Sequence, residues 1–219
     1  PLPNSPSVST SQRMKAHEIF QHASPDLIRD LFHFLRTEQK EVYRTAVSTL
    51  AQGRKLRPVF IQKKRPEDQY AWLAKTAKLR GTDTVDEHLL QIWLLKAHQS
   101  LLVKFLDGVG IEHDGEGAAE DLPDEIDAAK LKATVDELLK DYDAEVVRVY
   151  LYTFQLQKFG GWDAITELIE SDTNLQFGGA AQSAEEAPKA EPAKAKEEPK
   201  VEEAAEEASD SDDEKAEEE

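Results

Sequence analysis

The basic residues between positions 53 and 80 are the side chains in this sequence whose types and spacing most directly indicate a chemistry. The segment contains nine lysines and arginines and only two acidic residues, Glu67 and Asp68, so it carries a net charge of +7. Such a cluster can bind the phosphates of a nucleic acid or the carboxylates of an acidic protein. The predicted polyanion-binding residues are Arg54, Lys55, Arg57, Lys63, Lys64, Arg65, Lys75, Lys78 and Arg80.

Three aromatic residues, Phe60, Tyr70 and Trp72, are interleaved with these cations. An exposed ring among basic side chains can stack on an unpaired base of a nucleic acid. The alternative is that the charges form an ordinary solvated face and the rings belong to the core. Both interpretations stay open, because clustering along the chain does not fix where side chains lie in the fold.

The C-terminal segment is strongly acidic. Residues 181–219 contain 16 acidic residues and five lysines, a net charge of −11, and Val201 is their one large aliphatic residue. This composition cannot bury enough apolar surface to offset the entropy of ordering, so the sequence predicts a disordered tail over residues 180–219. The tail could serve solubility alone, bind a basic partner, or act as an intramolecular competitor for the molecule's own basic segment.

Two serines in this tail are possible phosphorylation sites. Ser209 and Ser211 alternate with acidic residues, the setting that an acid-directed kinase recognises. Phosphorylation would add about −1.5 to −2 charges at each serine. The pattern has low specificity, because any acidic tail that contains serine shows it.

The segment from position 107 to position 124 contains several carboxylates and a histidine, which are residue types that can bind a metal ion. Its carboxylates and imidazole could supply oxygen and nitrogen ligands, but their spacing does not match an EF-hand loop, so we predict an acidic connector without a metal. The other histidines show no metal-binding spacing, and His98 is expected to belong to the core. The residues of the connector considered as ligands are Asp107, Glu112, His113, Asp114, Glu116, Glu120 and Asp121.

Sequence signatures of enzymes are missing from the chain. There is no cysteine, nucleophile elbow, phosphate-binding loop or dinucleotide fingerprint, and Gly108 and Gly110 follow a predicted helix rather than a strand. We therefore predict no catalytic residue and no cofactor. An enzyme whose site is assembled from distant residues stays an alternative, since such sites leave no local motif.

Composition and length place the chain in a broad class. Its 219 residues carry a formal net charge of −17, and the lack of cysteine fits a reducing compartment such as the cytoplasm. The most apolar stretch, residues 89–106, is interrupted by polar residues too often to span a membrane, so no membrane partner is expected.

We predict a disordered lead-in over residues 1–13 and a helical domain over residues 14–179.

Apolar residues of this domain recur mostly at helical spacing, which predicts a mainly α fold, an irregular bundle of about seven or eight helices. Ser24 is expected to cap one helix, and Thr84 with Glu87 to form a capping box for the longest helix, residues 85–107. Because this helix is apolar around most of its circumference, it should be central, with Trp93 buried. Pro58 and β-prone neighbours predict an extended connector or short strand within residues 54–65.

The segment over residues 146–159 is ambiguous between helix and strand. Its β-branched and aromatic residues suit a strand, but the spacing fits a helix capped by Asp143, and the surrounding elements are helical. We therefore favour a helix. Oligomeric state is not predicted by any feature of the sequence.

Taken together, these features favour a non-enzymatic helical interaction module. Its basic segment would bind a polyanion, either a nucleic acid (including ribosomal RNA) or an acidic protein, and its acidic tail would modulate that binding. One alternative is a protein–protein adaptor that uses an apolar groove between helices. The second alternative is the enzyme with an unrecognised site.

Overall fold

A computed structural model of the protein describes residues 14–157 and 162–177. These residues all fall within one compact unit, Pro1–Glu186, and none belongs to the second unit, Ala187–Glu219. The predictions for residues 1–13 and 180–219, including Ser209 and Ser211, therefore lie outside the described residues. Within the described ranges there are ten helices: α1 (Ala16–His22), α2 (Pro25–Glu38), α3 (Lys40–Gly53), α4 (Pro58–Gln62), α5 (Pro66–Ala77), α6 (Asp83–Ala97), α7 (Gln99–Val109), α8 (Ala128–Asp141), α9 (Ala144–Leu156) and α10 (Asp163–Ser171).

The core is organised around α6, which packs against α1, α2, α3, α7 and α9. Leu89, Leu90, Trp93 and Leu94 of this helix are all buried, as its apolar circumference predicts. The mainly α architecture, the central position of this segment and the burial of Trp93 are thus confirmed. In the ranges that the structure describes, no helix combines the length and apolar composition needed to cross a bilayer.

Two predicted helix caps are confirmed. The Ser24 hydroxyl accepts a hydrogen bond from the Leu27 amide (3.2 Å) at the start of α2. The Asp143 carboxylate accepts from the Glu145 amide (2.7 Å) at the start of α9. Residues 144–156 are therefore helical, which settles the ambiguity for the described part of that segment in favour of the helix.

The prediction of an extended connector or strand over residues 54–65 was wrong, because α4 lies within it. Pro58 occupies the first helical position, where its fixed φ suits the helix and its missing amide proton costs nothing. The β-prone residues then follow as one short helical turn, whose Ile61 side chain is buried.

The central segment also differs from its prediction, because it forms two helices rather than one. His98 leaves the helical conformation at φ −123° and ψ 31°, and its ring packs edge-on against Trp93 with centroids 4.4 Å apart. The predicted capping box was wrong as well: α6 begins at Asp83, so Thr82, not Thr84, occupies the N-cap position. The extra break and the extra helix α4 raise the helix count above the predicted number.

Candidate polyanion-binding surface

The basic segment begins where α3 ends in a Schellman motif. The Leu56 amide donates to the Ala51 carbonyl (2.9 Å) and the Lys55 amide to the Gln52 carbonyl (2.8 Å). Lys55 itself adopts a left-handed conformation with φ +58°, a position that glycine usually fills. This reversal turns the chain so that Arg57 can precede Pro58 and α4.

Helix α4 and the chain just before it present apolar side chains to solvent. The exposed fractions are 42% for Leu56, 44% for Val59 and 60% for Phe60, and these are three of the four exposed large apolar side chains in the described ranges. Exposed basic residues lie before and after them in the chain. We call this set the α4 surface: Arg54, Lys55, Leu56, Arg57, Val59, Phe60, Lys63 and Lys64.

A buried glutamine holds the linker between α4 and α5. The Gln69 side-chain amide donates to the carbonyls of Gln62 (3.1 Å) and Lys64 (2.7 Å), and its oxygen accepts from the Tyr43 hydroxyl (2.8 Å). Because these contacts fix the backbone on both sides of Lys63, they position the basic side chains at the C-terminal end of α4. Burial, more than any nearby charge, raises the pKa of Tyr43 to about 12, so its hydroxyl stays a proton donor here.

The cations of the α4 surface lack ion pairs within the described structure. Arg54, Lys55, Arg57, Lys63 and Lys64 form no ion pair with any described residue. No ion pair with a described residue therefore has to break before these charges bind a partner.

Arg65, which follows Lys63 and Lys64 in the basic segment, forms an ion pair. The Arg65 guanidinium lies 3.2 Å from the Asp68 carboxylate, three residues further along the chain. Both groups are exposed, so the pair is weak and does not exclude Arg65 from binding a stronger anion.

The nine predicted residues divide into two groups. Lys75, Lys78 and Arg80 lie at the C-terminal end of α5, whereas the other six lie at or before its N-terminal end. A helix of twelve residues separates the groups by about 18 Å. The sequence cluster thus corresponds to two separated basic regions in the fold.

The predicted aromatic residues are also divided. Phe60 is exposed, but Tyr70 is buried against Tyr43, with ring centroids 6.5 Å apart, and Trp72 is half-buried against the core. Only one of the three rings is therefore well exposed beside the basic residues. The interpretation of interleaved stacking rings loses most of its support.

Three further basic residues line a polar groove that sequence reasoning missed. The groove, about 980 Å³, lies between α2, α3 and α5 and includes Arg36, Lys40 and Arg44, with Gln62 and Pro66 at the end nearest α4. Arg44 is paired with the exposed Glu41 carboxylate (2.9 Å). The regular spacing of four residues between these cations was the signal in the sequence, but alternating acidic residues obscured it.

The apolar inter-helix groove expected by the adaptor alternative also has a counterpart. A cavity of about 480 Å³ lies between α6, α7 and α9, under the connector that follows α7. Gly117 of that connector sits so close to α7 that an added Cβ would lie 2.7 Å from the Leu102 Cβ. The apolar side chains that line the cavity are Leu94, Leu95, Leu102, Leu106, Ala118, Ala119, Leu122 and Phe154.

Buried titratable groups occur elsewhere, at the contact of α1 with α6. His17 Nδ1 lies 2.6 Å from Asp83 Oδ1. Asp86 is fully buried, and burial, reinforced by the Asp83 charge and opposed by a hydrogen bond from Thr82, raises the pKa of Asp86 to about 7. None of these residues lines the groove or the cavity described above.

The acidic connector is folded by its own backbone contacts. The Asp114 carboxylate accepts hydrogen bonds from the amides of Glu116 (2.7 Å) and Ala118 (3.1 Å), and these bonds lower the pKa of Asp114. Among residues 14–157 and 162–177, no group of three or more potential ligands is arranged to hold a metal ion.

Comparisons of the chain with protein-family models, with curated proteins and with solved structures find no match.

Proposed function

We propose that the protein is a non-enzymatic helical interaction module whose α4 surface binds a polyanion, either a nucleic acid (ribosomal RNA included) or an acidic protein. The observation that carries the proposal is the set of five cations around α4 that form no ion pair within the described ranges. The lack of cysteine in the sequence supports action in a reducing compartment such as the cytoplasm.

The arrangement of these cations supports a binding role over an ordinary solvated face. A solvated face of a helix usually mixes charges of both signs, which pair at a spacing of three or four residues. Around α4 the charge is of one sign, and the chain holds it there although the protein as a whole is acidic. The neighbouring groove adds two further cations, Arg36 and Lys40, and one carboxylate, Glu67, to its lining.

A salt titration of binding tests the proposal. The full chain should bind polyuridylate and polyglutamate, and the affinity should fall steeply with salt, because each phosphate contact releases counterions. The α4-reversed variant, with Arg54→Glu, Lys63→Glu and Lys64→Glu, should lose this binding. A matched control, the α5-reversed variant with Lys75→Glu, Lys78→Glu and Arg80→Glu, changes the charge equally at the other end of α5 and should lose much less.

The outcomes separate the possibilities. Loss of affinity in the α4-reversed variant alone supports the proposal. Equal losses in both variants would show that the basic residues act only through total charge. If neither polyanion binds, or if both variants bind like the parent, the cations are a solvated face and the proposal is wrong.

The acidic tail has a modulating role in this proposal. Residues 181–219 carry a net charge of −11 on the same chain as the basic residues, so they compete with an outside polyanion at high effective concentration. Phosphorylation of Ser209 and Ser211 would strengthen the competition by adding negative charge.

A second candidate function is the protein–protein adaptor, which the cavity between α6, α7 and α9 favours. Binding there would bury apolar surface and depend little on salt. Leu95→Asp, at the half-buried edge of the cavity, should weaken such binding and leave polyanion binding intact.

No observation favours the enzyme alternative in the same way. Asp86 has a raised pKa, but it lines neither the cavity nor the groove.

A further inference from the structure

Building on the proposed function, we infer that the α4 surface binds one class of polyanion: an acidic amphipathic segment of another protein. Such a segment carries large apolar side chains in the middle of its contact and carboxylates on both sides of them. The inference depends on the apolar part of the surface, which the polyanion proposal leaves unused.

Three exposed apolar side chains lie in and just before α4. Val59 and Phe60 are adjacent residues of the helix, and Leu56 lies two residues before its first residue, Pro58. Helix α4 packs mainly against α3 and α5, and Ile61 is its buried contact. Val59 and Phe60 lie elsewhere on the turn and stay 44% and 60% exposed in the described structure. A partner must therefore supply apolar atoms of its own to remove these side chains from water.

The same set fits a nucleic acid less well. Non-specific binding of single strands uses several exposed aromatic rings, on which successive bases stack. Phe60 is the one well-exposed ring beside these cations, because Tyr70 is buried and Trp72 half-buried. Leu56 and Val59 have no π-face for a base and no donor for a phosphate, so a nucleic acid would leave both in water.

The charges around α4 define the layout of the partner. Arg54, Lys55 and Arg57 precede the helix, whereas Lys63 and Lys64 follow it, four residues after Val59 and Phe60 respectively. The apolar side chains are thus bounded by cations at both ends of the turn. A complementary segment has an apolar stripe with carboxylates on both sides of it, which is the pattern of an acidic amphipathic helix that crosses α4.

The experiment uses the full chain and a synthetic helical peptide with leucine at positions i, i+3, i+4 and i+7 and glutamate elsewhere. A second peptide replaces each leucine by serine at the same charge, and an oligouridylate provides the nucleic-acid arm. The apolar variant of the protein carries Leu56→Ser, Val59→Ser and Phe60→Ser. Leu79→Ser is the control, since Leu79 is exposed to 41% at the other end of α5.

The leucine peptide should bind the parent. Its affinity for the apolar variant should be about tenfold lower, and its affinity for the Leu79→Ser variant should equal that for the parent. The serine peptide should bind at least about tenfold more weakly than the leucine peptide. Oligouridylate binding should be the same for the parent and the apolar variant. Melting of each variant checks that it is folded; if the triple variant is not, Phe60→Ser alone replaces it with the same expected direction.

Failure of this inference is distinct from failure of the proposed function. If the α4-reversed variant loses binding but the apolar variant binds the peptide like the parent, the surface recognises charge alone. The inference is then wrong, and a nucleic acid becomes the preferred partner. If the α4-reversed variant binds all probes like the parent, the proposed function itself is wrong.

Discussion

Lys55 has a strained left-handed backbone, and it carries one of the positive charges that the proposed function uses. Its left-handed backbone closes the Schellman motif at the end of α3, and a side chain in this conformation costs roughly 1–2 kcal/mol, which glycine would avoid. The strain is local, because the motif needs only the two backbone hydrogen bonds from Lys55 and Leu56. A lysine at this position is consistent with a role for its ammonium group outside the fold.

We expect Lys55→Gly to raise the free energy of unfolding by about 0.5–1 kcal/mol, because relief of backbone strain exceeds the added entropy of the unfolded chain. The same variant should bind polyuridylate more weakly and with a smaller salt dependence, since one cation is lost. Urea unfolding and a salt titration measure the two effects. Lys63→Gly is the matched control, because Lys63 has an ordinary φ of −79°: it should lose affinity without gaining stability.

Asp86 is a buried carboxyl group with incomplete hydrogen bonding. Its Oδ2 accepts a hydrogen bond from the Thr82 hydroxyl (2.6 Å), while Oδ1 has no hydrogen-bond partner among the described residues. Because burial raises the pKa of Asp86 to about 7, the folded protein binds a proton at a pH where the unfolded chain has released it. Ionisation of this group therefore destabilises the fold.

The contribution of Asp86 to stability should fall as the pH rises from about 4 to about 7, where the folded state holds more protons than the unfolded state. Above that window the full penalty is on the order of 4 kcal/mol. Asp86→Asn keeps an acceptor for Thr82 but cannot ionise, so it should be more stable than the parent at pH 8. Urea unfolding at pH 5 and pH 8 measures this. An equal pH dependence in parent and variant would contradict the raised pKa.

The helix starts that were predictable are those at which a nearby side chain caps the helix. Ser24 and Asp143 cap α2 and α9 through contacts of two or three residues in sequence, which local patterns record. Helix α4 was not predictable in this way. Its β-prone residues favour a strand, and the alternative depends on packing of Ile61 against other helices, which a local pattern does not contain.

The break between α6 and α7 has the same origin. The residue at the break is a histidine and not a glycine or a proline, so nothing in the local sequence interrupts the helical pattern. The two halves have different neighbours: α7 packs mainly against α8, whereas α6 packs against α1, α3 and α9 as well as α2. Burial of the imidazole beside Trp93, which lowers the pKa of His98, accompanies the break.

Trp93 should be the most sensitive position of α6. Its side chain is 3% exposed and packs among core leucines and against the His98 ring. Trp93→Ala should lower the free energy of unfolding by about 3–5 kcal/mol, a large part of the 5–15 kcal/mol typical of a domain. Chemical denaturation measures the loss. Trp72→Ala, at a half-buried position on α5, should cost clearly less, and equal losses would contradict the central role of α6.

The candidate site was predictable from sequence only as a concentration of charge. Six of the nine basic residues lie around α4 and the start of α5, but the separation of the other three by α5 is a property of the fold. Exposure of Leu56, Val59 and Phe60 could not be read from apolar spacing, because burial depends on which helices lie nearby. The contribution of Arg36 and Lys40 likewise requires α2 and α3 to flank α5.

Charge is unevenly distributed over this protein, and that asymmetry gives the last prediction. Residues 53–80 hold a net charge of +7 and residues 181–219 a net charge of −11 on one chain. If the tail competes for the basic residues, deleting residues 181–219 should raise the affinity for polyuridylate. The gain should be largest at low salt, where the Debye length is longest.

The control for this deletion is a full-length chain in which the 16 acidic residues and the five lysines at positions 181–219 are all replaced by serine, which removes the charge but keeps the length. It should bind as tightly as the truncated chain, because the competition is electrostatic. Adding the α4-reversed substitutions to the truncated chain should abolish the gained affinity without changing the melting temperature. If truncation leaves the affinity unchanged at every salt concentration, the tail does not compete for these cations. A gain that survives the α4-reversed substitutions would instead show that the tail repels polyanions through total charge and not by occupying the α4 surface.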